Sequence, residues 1–171
     1  MGEYRLALSF EDRDRLFSAI GSVVVSFQQT ELWVAETLSS LLKLDPLDDR
    51  YTVMAAMSFR QKVDLMITLF SIKDNDESKE KVDLARKALF KAEEFRNRVV
   101  HSVWAVEDDT WVREKGSIRG KSGFVKQTVC VDINQLETAS NSIRTITEWR
   151  IKSLLEIEEA IFQLASCEQG T

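Results

Sequence analysis

Three side chains suited to acid–base and phosphate chemistry lie within six residues of one another. They are Arg96, Asn97 and His101, and His101 is the single histidine among 171 residues. An imidazole has an ordinary pKa of about 6.5, so it can accept and release protons near neutrality. A guanidinium offers paired N–H donors to phosphate oxygens, and a carboxamide can orient either group. Together these groups suit cleavage of an RNA phosphodiester without a metal, with the neighbouring 2′-hydroxyl as nucleophile.

Such a cleavage uses one base and one acid, but the chain has only one histidine. A second copy can supply the other imidazole if a two-fold axis brings two His101 side chains together. The helical period places Asn97 and His101 on one face with Phe90, away from the expected core, and places Arg96 at the edge of the core face. A face that exposes a phenylalanine beside polar groups predicts a partner, either a substrate or another subunit.

The same residues can also be interpreted as the end of a helix. A histidine in the last turn can cap the helix and interact favourably with its dipole, without any role in catalysis. Likewise, Trp104 and Trp111 fit core or interface positions better than positions that stack on bases. The sequence alone leaves both interpretations of the motif open.

Apolar residues recur at intervals of three or four over most of the chain, which is typical of amphipathic helices. Helix starts are marked by side chains that accept hydrogen bonds from the first turn, and Ser58 followed by Gln61 has the spacing of a capping box. The first predicted helix runs from Ser9 to about Lys43, and a short second one, opened by Asp45 and Pro46, runs through Tyr51, Val53 and Met54. The third runs from Ser58 to about Phe70, and the fourth from near Ser78 through the motif. The last runs from Asp132 to about Ala165, with a bend possible at Arg150.

Between the fourth and the last helix the pattern changes to short runs rich in β-branched and aromatic residues. Three extended segments are expected there, at 103–106, 110–112 and 124–131, although the first turn, at Asp108 and Asp109, lacks the usual glycine. They predict a small β-hairpin insertion at about 103–131, too small to be a domain of its own. The expected fold is therefore all-α, one domain over residues 1–171, with a bundle of four main helices, a short helix and the insertion before the C-terminal helix.

The net charge of −5 disfavours a general nucleic-acid coat protein, but the charge is unevenly distributed. Residues 113–126 hold five basic side chains against one carboxylate, together with three of the six glycines. This composition predicts a mobile basic loop on an acidic body, with a solvated hairpin tip as the alternative interpretation. The candidate RNA-binding residues are Arg98 beside the motif and Arg113, Lys115, Arg119, Lys121 and Lys126 in the basic segment.

Several kinds of site and location are disfavoured by what the sequence lacks. It has no phosphate-binding glycine loop, no nucleophile elbow and no paired histidine or cysteine ligands, so we expect no metal and no cofactor. Cys130 and Cys167 are expected to be packing residues rather than a disulfide. No apolar run reaches membrane-spanning length and the first residues lack a signal-peptide pattern, so we expect no membrane partner and a cytoplasmic location.

The stretch Phe95–Trp104, with the sequence FRNRVVHSVW, resembles the signature of the HEPN superfamily (higher eukaryotes and prokaryotes nucleotide-binding). That signature is an arginine, usually followed by a polar residue such as asparagine, and then a histidine after four to six intervening residues. The flanking residues are similar to those of prokaryotic members, many of which belong to toxin–antitoxin, abortive-infection and other phage-defence systems. The stretch 57–64, MSFRQKVD, is also similar to such proteins.

The resemblance implies a helical bundle that dimerises and a metal-independent ribonuclease site built from both copies of the motif. Arg96 and His101 would then be catalytic and Asn97 would position them, and the products would carry a 2′,3′-cyclic phosphate and a 5′-hydroxyl. The implied partners are a second copy, RNA and a cognate antitoxin protein. Some relatives with this bundle are non-catalytic interaction or scaffold modules, and nucleotide binding at the same groove is a third alternative.

Overall fold

The computed structural model describes residues 9–44, 47–73, 77–118 and 124–169, and none of the helices in these ranges is both long and apolar enough to cross a membrane. In chain order the elements are α1 (Phe10–Leu42), α2 (Leu47–Ala56), α3 (Phe59–Lys73), α4 (Lys79–Val100), β1 (Val103–Glu107), β2 (Thr110–Ile118), β3 (Phe124–Cys130), α5 (Ile133–Thr147), a 3₁₀ turn (Trp149–Ile151) and α6 (Leu154–Gln169). The mainly helical fold expected from the sequence is confirmed. Asp45 and Pro46, which were expected to open the short helix, lie outside the described ranges.

Local hydrogen bonds fix where three of the helices begin. The hydroxyl of Ser9 accepts from the Asp12 N–H at 3.1 Å, and the hydroxyl of Ser78 accepts from a first-turn N–H of α4 at 3.2 Å. At α3 the Ser58 N–H donates to Gln61 Oε1 at 2.8 Å, and the Gln61 N–H donates to Ser58 Oγ at 3.3 Å. This reciprocal pair is a capping box. All three starts agree with the sequence prediction because each depends on residues within one turn.

The helix α1 lies against α3, α4 and α5, while α6 packs against α4 and α5. Small hydroxyl side chains join α1 to α5 within the buried interface. Ser26 Oγ lies 3.0 Å from Ser140 Oγ, and Thr30 Oγ1 lies 2.7 Å from Thr147 Oγ1. Because these hydroxyls bond to one another, the two helices pack closely without leaving them unpaired.

The last helix of the sequence prediction is in fact two helices, α5 and α6, separated by the 3₁₀ turn. Trp149 in this turn is completely buried, and its ring meets Phe70 of α3 edge-on with 5.7 Å between centroids. The Arg150 carbonyl accepts a hydrogen bond from Lys81 Nζ of α4 at 2.7 Å. These contacts with distant helices hold the chain at the break, so the described ranges contain five long helices and a short one instead of four and a short one.

The insertion is a three-stranded antiparallel sheet in the order β1-β2-β3, in agreement with the three expected extended segments, although β2 runs further than expected, to Ile118. Glu107 pairs with Thr110, so Asp108 and Asp109 form the first turn alone. Both aspartates have positive φ, 47° and 58°, as a two-residue turn of type I′ requires. Aspartate tolerates this left-handed conformation better than most residues, so the turn forms without glycine.

The burial of the tryptophans and cysteines tests their expected roles. Trp104 and Trp111 are partly buried and pack against the hydrophobic core, as one of their two interpretations predicts. Cys167 also packs against the core, and its Sγ donates to the Gln135 carbonyl at 3.2 Å. Cys130 is exposed, so its expected role as a packing residue is wrong. It is the last residue of β3, which is one of the two edge strands of the described sheet.

Candidate active site at the end of α4

Donors that follow α4 in the chain close its C-terminal end. The His101 N–H donates to the Asn97 carbonyl at 3.0 Å, Ser102 Oγ to the Arg98 carbonyl at 2.5 Å, and Trp104 Nε1 to the Val99 carbonyl at 3.1 Å. The last carbonyl groups of a helix have no partner within the helix, so these bonds satisfy them and direct the chain into β1. The motif therefore has a structural role, but it is carried by backbone, Ser102 and Trp104 rather than by the imidazole.

Arg96 is fixed against α1. Its guanidinium carbon lies 4.4 Å from the centroid of the Phe27 ring, and its Nη2 lies 3.7 Å from Glu31 Oε1. About a quarter of the side chain remains accessible (24 %). The neighbouring Leu89 and Ala92 on the same side of α4 are completely buried. Arg96 thus lies within the core face rather than at its edge as expected, because the ring of Phe27 offers its guanidinium a favourable contact.

His101 and Asn97 lie on the other side of α4. The imidazole of His101 is exposed and Asn97 is half-buried. Five residues separate Arg96 from His101, which corresponds to about 140° around a helix. Within the described residues no hydrogen bond or ion pair joins the two side chains. One copy of the chain therefore does not bring the expected catalytic pair together.

Phe90 is not the exposed partner-seeking side chain that the sequence predicted. It is half-buried, and the guanidinium carbons of Arg60 and Arg86 lie 5.0 and 5.2 Å from its ring centroid. Arg60 Nε also bonds to Glu93 Oε2 at 2.6 Å and its Nη2 to Glu94 Oε1 at 3.0 Å. These hydrogen bonds raise the pKa of the Arg60 guanidinium above its ordinary value. The first turn of α3 thus covers this part of the α4 face.

The face continues beyond these contacts of α3. At a rise of 1.5 Å per residue, Asn97 lies about 4.5 Å and His101 about 10 Å further along the axis than Glu94. The residue before Arg60, Phe59, is the first of α3. The end of the α4 face that carries the amide and the imidazole therefore extends past the Arg60 contacts, towards the sheet.

The basic segment differs from the expected loop. Residues 113–118 belong to β2 and residues 124–126 to β3. Arg113 is buried, paired across the sheet with Trp104 and Val129, so it is not a surface RNA-binding residue. Lys115 and Lys126 lie in the strands, whereas Arg119 and Lys121 lie outside the described residues. Arg98 lies in α4, next to Asn97, and is half-buried.

Two residues near Arg96 were not found by sequence reasoning. Phe27 and Glu31 contact its guanidinium from α1, more than sixty residues earlier in the chain. Phe27 fits the apolar stripe of α1 like any core residue, so its position carries no separate signal. Among the described residues, no group of three or more histidine, cysteine, aspartate or glutamate side chains is placed to hold a metal ion.

Comparison of the chain with models of protein families, with curated proteins and with solved structures gives no match. The resemblance to HEPN proteins therefore rests on the motif residues themselves.

Proposed function

We propose that the chain is a metal-independent endoribonuclease of the HEPN type whose site is completed by a second copy. The observation that carries the proposal is the exposed imidazole of His101, on the same side of α4 as Asn97 and beyond the contacts of α3. The resemblance of residues 95–104 to the HEPN signature supports the same function. It further implies a toxin or phage-defence component that is controlled by a cognate antitoxin protein.

Arg96 supports the proposal because its guanidinium is held in place yet has N–H donors to offer. Among the described residues, its closest carboxylate oxygen belongs to Glu31 and is 3.7 Å away, which is beyond hydrogen-bond range. A phosphate that replaced this long ion pair would gain paired N–H donors from a group already positioned by Phe27. Such a preorganised cation would stabilise negative charge that grows on the phosphate during cleavage.

In the proposed reaction two imidazoles act on one phosphodiester. One imidazole takes the proton of the 2′-hydroxyl, and that oxygen forms a bond to phosphorus. The bond between phosphorus and the 5′-oxygen breaks, and the second imidazole, in its protonated form, gives its proton to the departing oxygen. The products are a 2′,3′-cyclic phosphate and a 5′-hydroxyl. Because each copy has one histidine, a two-fold axis that brings two His101 side chains together supplies both groups.

The test is incubation of the purified chain with total RNA and transfer RNA in excess EDTA, beside His101→Ala. Asn141→Ala, at an exposed position of α5, is a matched control for a surface substitution. We expect cleavage with cyclic-phosphate ends from the wild type and from Asn141→Ala, and none from His101→Ala. Equal cleavage by the wild type and His101→Ala would indicate a contaminating nuclease and contradict the site.

A second function, that of a non-catalytic interaction protein with HEPN-like architecture, is favoured by the contacts of Arg96. Phe27 and Glu31 engage its guanidinium from α1, so the arginine can serve the fold instead of a substrate. This candidate predicts a stable oligomer that cleaves no RNA. It also predicts that His101→Ala and the wild type assemble equally well.

A further inference from the structure

On the side opposite the core, α1 exposes a stripe of large hydrophobic residues, with Asp14 and Gln28 exposed within the same arc. Its four exposed large hydrophobic residues fall within an arc of about 80° around the helix axis. They are Phe10, Phe17, Val25 and Leu32, with 71, 62, 52 and 60 % of their surface accessible. Single exposed apolar residues are ordinary, but a stripe along more than six turns of one helix is typical of an interaction surface.

The stripe is symmetric in sequence about Gly21. Phe10 and Leu32 each lie eleven residues from this glycine, and Phe17 and Val25 each lie four residues from it. A Cβ added at Gly21 would meet no atom within 4 Å, so the surface is open at the centre of the stripe. A two-fold rotation centred on Gly21 would place each exposed hydrophobic residue opposite another.

We propose that a second copy of the chain packs antiparallel on this face, with the two α1 helices crossing at Gly21. Phe10 would meet Leu32 of the other copy, and Phe17 would meet Val25. Because glycine has no side chain, the two backbones can approach closely at the crossing. The eleven-residue spacing from Phe10 to Gly21 and on to Leu32 favours a right-handed crossing. This inference goes beyond the proposed ribonuclease activity and does not depend on it.

The charges beside the stripe fit the antiparallel arrangement. Arg13 and Glu31 lie on the same flank of the stripe. The two-fold axis of an antiparallel pair brings this flank of one helix beside the same flank of the other. Residue 29 of one copy would then stand level with Arg13 of the other, which puts Glu31 about 3 Å further along the axis.

The exposed area is also of the right size. The four apolar side chains expose roughly 400 Å² in each copy, about half of the roughly 800 Å² that a partner contributes to a standard interface. Residues 10–32 span about 33 Å of helix, so the polar flanks can supply the remainder.

The first test is the mass of the assembly in solution, measured by light scattering over a range of chain concentrations. Gly21→Gln adds bulk at the crossing, although within one copy the new side chain points into open space. Replacing a glycine inside a helix also raises the helix propensity of α1, so the fold should be retained. We expect Gly21→Gln to weaken the association about tenfold to a hundredfold and to halve the mass. Leu155→Gln, exposed on α6, is the matched control and should leave the mass unchanged. A monomeric wild type, or an assembly mass unchanged by Gly21→Gln, would overturn the proposal.

Disulfide trapping gives a second test that is specific for the crossing point. In a background of Cys130→Ser and Cys167→Ser, Gly21→Cys should form a covalent dimer under mild oxidation, because the two-fold axis brings the two positions within disulfide range. Gln28→Cys is the control. Residue 28 lies seven residues from the centre of the crossing, so the two copies of residue 28 would be roughly 20 Å apart. Trapping at residue 28 with none at residue 21 would refute the crossing at Gly21.

Discussion

Arg96 and His101 are close in sequence but meet different surroundings. Arg96 packs on Phe27 and faces Glu31, both from α1, whereas the imidazole of His101 is exposed at the end of α4. The position of His101 follows from the helical period of its own segment. The environment of Arg96 depends on a helix more than sixty residues away, so the sequence did not predict its contacts.

This difference predicts unequal effects on stability. Arg96→Ala removes the cation–π contact with Phe27 and should lower the free energy of unfolding by about 0.5–2 kcal/mol. His101→Ala removes an exposed side chain and should change it by less than about 0.5 kcal/mol. Urea denaturation of both variants beside the wild type measures these differences.

An Arg96→Ala variant as stable as the wild type would mean that the stacked guanidinium contributes nothing to the fold, and would leave it available to a substrate. Loss of cleavage in Arg96→Ala therefore has to be judged at equal folded fraction. His101→Ala is the cleaner test of catalysis because no such correction is expected.

At the scale of the elements, the sequence predicts what is decided within a turn or a strand. Ser9, Ser58 and Ser78 mark the starts of their helices because each accepts a hydrogen bond from its own first turn. The break after α5 is different, since Trp149 is held by a helix far away in the chain. Arg113 is a similar case, because its burial depends on how the sheet packs rather than on the charge of its neighbours.

The start of α6 should respond to pH. Glu156 Oε2 accepts from the Ser153 N–H at 2.8 Å and from the Ser153 hydroxyl at 2.9 Å. The backbone bond and then the hydroxyl bond, with help from Lys152, hold the pKa of Glu156 below its ordinary value. A lowered carboxyl pKa contributes stability above the ordinary pKa, and this contribution is lost as the pH falls through the folded-state value.

We therefore expect Glu156→Ala to lower the urea midpoint at pH 7, with a smaller difference from the wild type once the pH is below the folded-state pKa of the carboxyl group. The measurement is a pair of denaturation curves at each pH. If the difference in urea midpoint between wild type and variant is the same at pH 7 and below the folded-state pKa, the charged form of Glu156 has no special role in the cap.

At the scale of the whole molecule, two candidate interaction surfaces face in different directions. Arg96 faces α1, and His101 lies about 140° away from it around α4. The Gly21 stripe lies on the side of α1 that is turned away from the core. Pairing through α1 and pairing of two His101 side chains would therefore use separate surfaces, and a chain that uses both would assemble beyond a dimer.

This separation predicts that Gly21→Gln halves the mass of the assembly, because the added side chain lies at the α1 crossing. RNA cleavage per chain should stay within about twofold of the wild type, a barrier change of about 0.4 kcal/mol, because the His101 surface is not part of that crossing. Cleavage per chain should fall on dilution in both proteins, since the proposed site needs two copies of His101. The measurement is the initial rate in EDTA against chain concentration, with the mass determined on the same samples. If a folded Gly21→Gln chain no longer cleaves RNA, pairing through α1 itself forms the catalytic site. If the rate per chain does not change on dilution to monomer, a site shared between two copies is excluded.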